Sequence, residues 1–424
     1  MSAAGSREFD VIIVGAGIVG TVMASLLLKR GSSTAGRVAL VADRFMQAPA
    51  ADADWDLRVF ALSRASERLL QHCGIWGALP CERVHAYQRV QVWDADGAVN
   101  GAGSLRFECA EIGEPNLGYI ADGRVLQWQA LQAARALGAV PLEAQLGAIV
   151  RGDGDVGVVL ADGRQLRARL IIGADGTESR TRQLLDIGTA GHAYHQDALV
   201  AHVKTEKAHD DTAWQRFLPG GPLALLPLSD GRSSLVWSTS RAHATQLRAL
   251  EPEAFNAALT AASDEVLGRC TLESALAAFP LQLQYAVAYA QRNAVLLGDA
   301  AHVVHPLAGQ GLNLGLLDCA ALAQVLGDCA GPRSFGDLNI LRRYERWRRS
   351  ENFLAAAALD ALERLFAARG PLSSAARSFG LGAVRRSGLV KRRLARRALG
   401  LSGDLPDIAR GQSAATGDRA SPRR

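Results

Sequence analysis

Two glycine-rich segments, each directly after an apolar run, constrain this chain more than any other feature. GAGIVG at 15–20 follows VIIV, and GDAAHVVHPLAGQGLNLGLLD at 298–318 follows AVLL. A strand that turns through glycines into a helix offers free N–H groups and the positive end of the helix dipole to phosphates. The two segments therefore predict one large nucleotide cofactor that is bound by both ends of the chain.

The first segment predicts a βαβ unit of a parallel sheet. Gly15 permits the tight turn, Gly17 lets the backbone approach a pyrophosphate, and Gly20 lets the helix lie close to the strand. A second buried strand, VALVADR at 38–44, carries Asp43 at its end, where a carboxylate can accept ribose hydroxyls. A strand-end cap is the alternative role of Asp43.

Two further strand ends carry a carboxylate. LIIGADGTESRTR places Asp175 and Gly176 after a buried strand, and a helix is expected after Ser179. A plain β-turn with a capped helix is the alternative. Gly298 and Asp299 follow the strand of the second segment, where the Asp299 carboxylate can bind a hydroxyl of the sugar chain.

The remainder of the second segment predicts a helix that points at the ring system of the cofactor. Pro306 interrupts the chain, and Gly309, Gly311 and Asn313 then open the apolar helix GLNLGLLDCAALAQVL. The N-terminus of this helix would stabilise negative charge on the reduced ring.

Composition excludes several classes of protein. The chain has 424 residues, of which 49% are hydrophobic, but it has no apolar run long enough to span a membrane. Its start, MSAAGSREFD, lacks the apolar core of a signal peptide. Its six cysteines form no C-x-x-C pair, which favours reduced thiols and a cytoplasmic protein.

The order of these motifs resembles that of a known family. G-x-G-x-x-G, then ADG, then GDAAH…P…G-x-GLN occur in this order in the flavoprotein aromatic hydroxylases of the para-hydroxybenzoate hydroxylase class. The stretches DLRVFALSRASERLL, GRVLQWQAL, PGGPLALLPL, RYERWRRSEN and ALGLSGD resemble the ubiquinone-biosynthesis hydroxylases more closely. The resemblance covers nearly the whole chain and implies that the cofactor is FAD.

The resemblance also implies which residues bind FAD. Asp43 stands where the family usually has the longer Glu, so its hydrogen bonds to the adenosine ribose would differ in detail. Arg58 and Arg124 are implied FAD contacts, with surface ion pairs as the alternative. The full set of implied FAD positions is Gly15, Gly17, Gly20, Asp43, Arg58, Arg124, Asp175, Gly176, Gly298, Asp299, Pro306, Gly309, Gly311, Leu312 and Asn313.

The implied roles of this set differ along the cofactor. The glycines at 15–20 would hold the pyrophosphate, and Asp299 the ribityl or pyrophosphate portion. The segment 174–176 would lie where the family touches both FAD and the nicotinamide donor. Backbone groups at 311–313 would meet the pyrimidine edge of the flavin, and Pro306 would lie beside the flavin face where the substrate is oxygenated.

The implied reaction is the hydroxylation of an aromatic ring. NAD(P)H reduces FAD, the reduced flavin forms a C4a-hydroperoxide with O2, and one oxygen passes to a polyprenyl phenol. The sequence has no second dinucleotide-binding unit, which indicates a transient NAD(P)H donor. The alternatives are a hydroxylase of another aromatic compound, a flavin oxidoreductase that forms no peroxide, and a non-catalytic flavoprotein scaffold of a quinone-synthesis complex.

Two histidines of the second segment need separate interpretation. His302 and His305 are three residues apart, but no third ligand accompanies them, and we predict no metal. We expect a structural role for His302. His305 and Pro306 are the candidates for contact with the substrate.

The predicted fold is α/β. It comprises an FAD-binding Rossmann-like three-layer domain, an inserted mixed-β substrate domain and C-terminal helices. The predicted segments are an FAD-binding domain at 1–80, 105–188 and 286–345, a substrate-domain hairpin at 81–104, a β-sheet substrate domain at 189–285, C-terminal basic helices at 346–402 and a disordered tail at 403–424. Within these segments, Asp96–Gly97 and Asp162–Gly163 predict hairpin turns, and a helical insert is expected at about 251–279.

The C-terminal arm is strongly basic. Residues 364–403 contain ten Lys or Arg and no acid, and RRSGLVKRRLARRALG at 385–400 interleaves them with Leu389, Val390, Leu394 and Leu399. A solvated amphipathic helix and a helix that docks on an anionic membrane are the two alternatives. The second would place the protein peripherally at the inner face of the membrane. The lack of interleaved aromatic residues disfavours nucleic acid.

Overall fold

The computed structural model describes residues 8–29, 36–50, 52–101, 103–152, 154–304, 310–329, 331, 334–367 and 387–411. Its strands are β1 (Val11–Val14), β2 (Val38–Ala42), β3 (Val59–Leu62), β4 (Val84–Tyr87), β5 (Arg89–Asp94), β6 (Ser104–Glu108), β7 (Gly118–Asp122), β8 (Val140–Glu143), β9 (Leu146–Arg151), β10 (Val156–Leu160), β11 (Gln165–Ala168), β12 (Leu170–Gly173), β13 (Thr189–Thr205), β14 (Thr212–Leu218), β15 (Gly221–Pro227), β16 (Ser233–Ser240), β17 (Cys270–Leu272), β18 (Ala277–Ala286), β19 (Ala290–Gln291), β20 (Ala294–Leu296) and β21 (His302–Val303).

The helices follow the same numbering in chain order. They are α1 (Ile18–Lys29), α2 (Arg64–His72), α3 (Cys109–Ile112), α4 (Gly123–Ala136), α5 (Arg180–Leu184), α6 (Arg241–Arg248), α7 (Pro252–Ala262), α8 (Gln310–Gly327), α9 (Leu338–Ala367), α10 (Gly388–Ala398) and α11 (Asp407–Arg410). Short 3-10 turns occupy Trp76–Ala78, Cys81–Arg83 and Gly298–Ala300.

The centre of the first domain is a six-stranded sheet in the order β19-β20-β12-β1-β2-β8. All neighbours pair in parallel except β19, which pairs antiparallel with β20. The strand residues VIIV and LIIG are buried throughout, as expected for a parallel sheet that is covered on both faces. Helix α1 packs against both α4 and α8.

A nine-stranded sheet forms the second domain. Its order is β21-β18-β13-β16-β15-β14-β5-β6, and β17 pairs with β13 at the side. Trp237 on β16 and Phe255 on α7 belong to its own apolar core. The pair β5–β6 joins this sheet through β14, and β6 begins at Ser104, so that all of β6 after its first residue lies beyond the hairpin predicted at 81–104.

Several local details differ from the sequence predictions. The Asp96–Gly97 step lies in a turn after β5, but a longer connection follows before β6. The helical insert expected at about 251–279 lies earlier in the chain and is shorter. Helix α6 begins at Arg241, α7 ends at Ala262, and strand β17 follows. The hairpin predicted at Asp162–Gly163 is present, and Gly163 has the positive φ of +88° that this turn requires.

The C-terminal region is more ordered than its composition suggests. Helix α9 begins at Leu338, so the predicted boundary at 345–346 falls inside a helix. Residues 403–411, which we expected to be disordered, include α11, and Leu405, Ile408 and Ala409 are buried against the body of the protein. The few apolar side chains of residues 403–411 are all buried. None of the helices in the described ranges is long and apolar enough to cross a membrane.

Candidate active site

The candidate cofactor residues converge because they follow parallel strands of one sheet. Gly15 follows β1, Asp43 follows β2, Asp175 follows β12, and Asp299 follows β20. The carboxyl ends of neighbouring parallel strands lie at one edge, and this edge is where open α/β sheets bind ligands. The topology therefore brings together four segments that are far apart in the chain.

The three glycines of the loop after β1 differ in the space around them. A Cβ on Gly15, whose φ is +109°, would lie 2.2 Å from the carbonyl oxygen of Ala174. A Cβ on Gly20 would lie 2.0 Å from the carbonyl oxygen of Gly15. A Cβ on Gly17 would meet no atom within 4 Å. The outer two glycines thus permit close backbone packing, and Gly17 borders open space at the start of α1, where a pyrophosphate fits.

Asp43 is exposed immediately after β2, as the sequence predicts for a ribose-binding acid. Its Oδ2 accepts a hydrogen bond from Nε2 of Gln145 at 3.1 Å. An exposed carboxylate oriented by one amide retains further lone pairs for ribose hydroxyls.

The Asp299 carboxylate is suited to accept hydrogen bonds from a ligand. It is half-buried and accepts no hydrogen bond from any of the residues in the described ranges. Burial raises the pKa of Asp299, while the positive charges of His302 and Arg58 act in the opposite direction. Because its charge acts on Asp299, Arg58 lies close to the same turn. Its guanidinium lies 5.1 Å from the Phe60 ring centroid.

Arg124 lies on the first turn of α4, and its contacts are with loop residues. Its guanidinium donates to the Asp54 carbonyl at 2.9 Å and lies 3.9 Å from the Asp56 carboxylate. These contacts agree with the surface ion-pair alternative and leave its contact with FAD a prediction.

The Asp175 carboxylate caps α5. It accepts hydrogen bonds from Ser179 Oγ at 2.5 Å, from the Thr181 N–H at 2.8 Å and from Thr181 Oγ1 at 2.9 Å. The capped-turn alternative therefore describes this side chain. Gly176, with a φ of +80° and open space around its Cα, leaves backbone accessible to a ligand.

The first turn of α8 contains Gly311, Leu312 and Asn313. The Asn313 side chain is committed to the protein: its Oδ1 accepts from the Ser63 N–H at 2.9 Å and from Ser66 Oγ at 2.7 Å. The N–H groups of this turn lack intrahelical acceptors, and their contact with the flavin stays a prediction. His305, Pro306 and Gly309 lie outside the described residues.

Comparisons with known proteins agree with this geometry. A family described as "FAD binding domain" matches residues 130–352. The 3-demethoxyubiquinol 3-hydroxylase of Escherichia coli (strain K12) is 36% identical over 93% of this chain and 100% of its own length. The chain belongs to the FAD-dependent hydroxylases of ubiquinone biosynthesis.

Further relatives cover nearly the full length of this ubiquinone-biosynthesis hydroxylase. Ubiquinone hydroxylase UbiL of Rhodospirillum rubrum is 36% identical over 97% of this chain and 95% of its own. The mitochondrial ubiquinone biosynthesis monooxygenase COQ6 of Xenopus tropicalis is 33% identical over 91% of this chain and 92% of its own. The predicted membership in this branch of the aromatic hydroxylases is confirmed.

Solved structures confirm the predicted fold class. The p-nitrophenol 4-monooxygenase PnpA of Pseudomonas putida has a TM-score of 0.73 at 18% identity and covers 92% of this chain and 98% of its own. PqsL of Pseudomonas aeruginosa has a TM-score of 0.69 at 26% identity and covers 88% and 99%.

Histidines of this hydroxylase make hydrogen bonds that explain their positions. His302 is buried and its Nε2 lies 2.5 Å from Oδ2 of Asp318, in agreement with a structural role. Side-chain atoms of His85, His209 and Asp211 that could bind a metal lie within 4.8 Å of one another. His85 bonds to Asp211, and His209 bonds to the Leu228 carbonyl, so internal hydrogen bonds account for the group. The absence of a metal stays a prediction.

The sequence reasoning missed residues that hold the site from behind. Asp318, Arg348 and Asn352 form a buried polar cluster beneath the turn at Gly298. The signal was present in the sequence: Asp318 is the single acid in the apolar helix sequence GLNLGLLDCAALAQVL. A buried acid in such a run requires partners.

Proposed function

We propose that this FAD-dependent hydroxylase oxygenates the aromatic ring of a polyprenyl phenol, with NAD(P)H as the transient electron donor and O2 as the oxygen source. The observation that carries the proposal is the match of the whole chain to hydroxylases of ubiquinone biosynthesis. The convergence of the glycine loop and Asp299 at one sheet edge supports it.

The chain's own residues would bind and orient the cofactor. The N–H groups around Gly17 would bind the pyrophosphate, and the Asp299 carboxylate would accept hydrogen bonds from the sugar-chain hydroxyls. The positive end of α8 would stabilise negative charge at the pyrimidine edge. FAD, when bound, accepts a hydride and activates O2.

The substrate would lie between the flavin turn and the nine-stranded sheet. Strand β21 begins two residues after the 298–300 turn ends and pairs with β18 of that sheet. The same peptide segment thus belongs to the cofactor edge and to the substrate domain. Such a junction can exclude water from the reacting ring.

A peripheral contact with the inner face of an anionic membrane would give access to a lipid-soluble substrate. On α10 the side chains of Leu389, Val390 and Leu394 are 71%, 45% and 47% exposed, beside exposed arginines. Lys391 pairs with Glu111 on α3, which fixes the helix on the body with these residues outward. Leu399 is buried and belongs to the core instead. An interleaved apolar and cationic face is typical of interfacial helices.

Deletion of the gene in its host tests the proposal. Lipid extracts should accumulate a polyprenylated precursor that lacks one ring hydroxyl, and the wild-type gene should restore ubiquinone. A Gly17→Ala gene, which is expected to disable FAD binding, should not restore it. Unchanged ubiquinone in the deletion strain would contradict the proposal, and restoration by the FAD-free variant would favour the scaffold alternative.

A further inference from the structure

Asp318 is a fully buried carboxylate on α8 that accepts four hydrogen bonds. Its Oδ2 accepts from His302 Nε2 at 2.5 Å and from the Gly298 N–H at 3.2 Å. Its Oδ1 accepts from Arg348 Nε at 2.8 Å and from Asn352 Nδ2 at 3.1 Å. One carboxylate therefore connects the turn that carries Asp299, the strand β21 and the helix α9.

This cluster is charged in the folded protein. Burial alone would raise the pKa of Asp318, but the charges of His302 and Arg348 lower it to about 2. A buried ion pair contributes little net stability compared with apolar residues of the same shape, because both ions lose their hydration. Stability alone is therefore a weak reason for this pair.

The cluster acts on the cofactor edge without reaching it. Arg348 and Asn352 are 1% and 0% exposed, and His302 and Asp318 are 1% and 0% exposed. These four side chains are thus covered by other protein atoms, and they lie behind the turn. Their contact with the site runs through the Gly298 N–H.

Close packing makes the turn sensitive to such a contact. A Cβ on Gly315, one helical turn before Asp318, would lie 3.2 Å from the Cα of Gly298 and 2.9 Å from Val19 of α1. The turn is thus wedged between α1 and α8. A shift of Asp318 would displace Gly298, and with it the Asp299 carboxylate, because tightly packed interiors transmit displacements.

We propose that Asp318, held by Arg348 and Asn352 of α9, is a positioning residue for FAD. It sets the position of the Gly298–Asp299 turn, so that α9 determines how tightly FAD is bound. The inference relies on the FAD of the proposed function but on no particular substrate, and FAD binding is measured without one.

The test measures FAD affinity in a graded series of variants. Asn352→Ala removes one donor and keeps the ion pair. The double variant Asp318→Asn, Arg348→Met removes the carboxylate and the guanidinium together, and His302 can then adopt its neutral form. The matched control is Arg343→Met on the same helix. The Arg343 side chain is exposed, and it lies 3.8 Å from Asp328, which is not a member of the cluster. Apoprotein of each variant is titrated with FAD, and the visible spectrum of the bound flavin is recorded.

The expected result is a several-fold rise in the Kd for FAD in Asn352→Ala, at least a tenfold rise in the double variant, and no change in Arg343→Met. The flavin spectrum should shift in the first two. A merely structural role would lower the melting temperature while the folded fraction binds FAD normally. Folded Asn352→Ala and double variants with wild-type Kd and spectrum would overturn the inference, even if substrate hydroxylation were confirmed.

Discussion

Arg182 donates a hydrogen bond from its buried guanidinium to the carbonyl oxygen of Ala300, 3.0 Å away. The same guanidinium donates to the Thr177 carbonyl at 2.8 Å. These bonds join the segment that follows β12 to the turn that follows β20. One side chain therefore links the two halves of the cofactor edge beyond the point where β12 and β20 pair.

We expect Arg182→Met to loosen this edge. Each carbonyl that loses its donor costs about 1–3 kcal/mol, so the loss of both donors should lower the free energy of unfolding by about 2–6 kcal/mol, with loss of bound FAD. Urea unfolding and the flavin-to-protein absorbance ratio measure both effects. Arg180→Met, at an exposed position on the same helix, is the control and should leave both unchanged. Equal stability of the two variants would contradict the expectation.

Substitutions at two glycines of the loop after β1 should have different effects. Gly15→Ala forces a Cβ to within 2.2 Å of the Ala174 carbonyl oxygen and should destabilise the apoprotein. Gly17→Ala meets no protein atom within 4 Å, so the apoprotein should melt as the wild type does, while the methyl group in the pyrophosphate space should leave the purified protein without bound FAD. Melting curves of apoprotein with FAD titration distinguish them. If Gly17→Ala binds FAD normally, the pyrophosphate does not lie at this loop.

Asp299→Asn should separate stability from cofactor binding. Because burial raises the pKa of Asp299 above 3.8, the ionised group disfavours folding at neutral pH, and that cost disappears as the pH falls below the ordinary value. The apoprotein of the variant should melt above the wild type at pH 7, with the difference vanishing near pH 3. Its Kd for FAD should rise at least about tenfold, because a charge-assisted acceptor is lost. A lower melting temperature at pH 7 would show that the carboxylate is stabilised by the protein.

The exposed face of α10 should govern binding to anionic vesicles. Replacing Leu389, Val390 and Leu394 together by Ser removes the apolar part of that face and should abolish flotation on vesicles that contain phosphatidylglycerol, at low salt. The control is Leu250→Ser, since Leu250 is 41% exposed and lies outside the basic arm. Equal flotation of the triple variant and the wild type would contradict the membrane contact.

The sequence predicted the strand-end positions of this site well, because glycine turns and buried apolar strands are local signals. Asp43 and Asp299 both lie where the pattern placed them. The sequence could not show which polar side-chain atoms already form hydrogen bonds within the protein. The Asp175 carboxylate is occupied by Ser179 and Thr181 of the turn that follows it, and the Asn313 amide by Ser63, which lies 250 residues away in the chain. The order of 403–411 likewise depends on packing against distant helices, which composition does not report.

Oxygen labelling of the product shows directly whether this hydroxylase inserts an oxygen atom from O2 into the aromatic ring. Purified holoenzyme is supplied with NAD(P)H, a polyprenyl phenol precursor and 18O2, and the product is analysed by mass spectrometry. We expect one 18O atom in a new ring hydroxyl, formed by the wild type and lost in the FAD-deficient Gly17→Ala variant. A hydroxylated product that carries oxygen from water, or NAD(P)H oxidation that yields only hydrogen peroxide with every phenol tested, would contradict it.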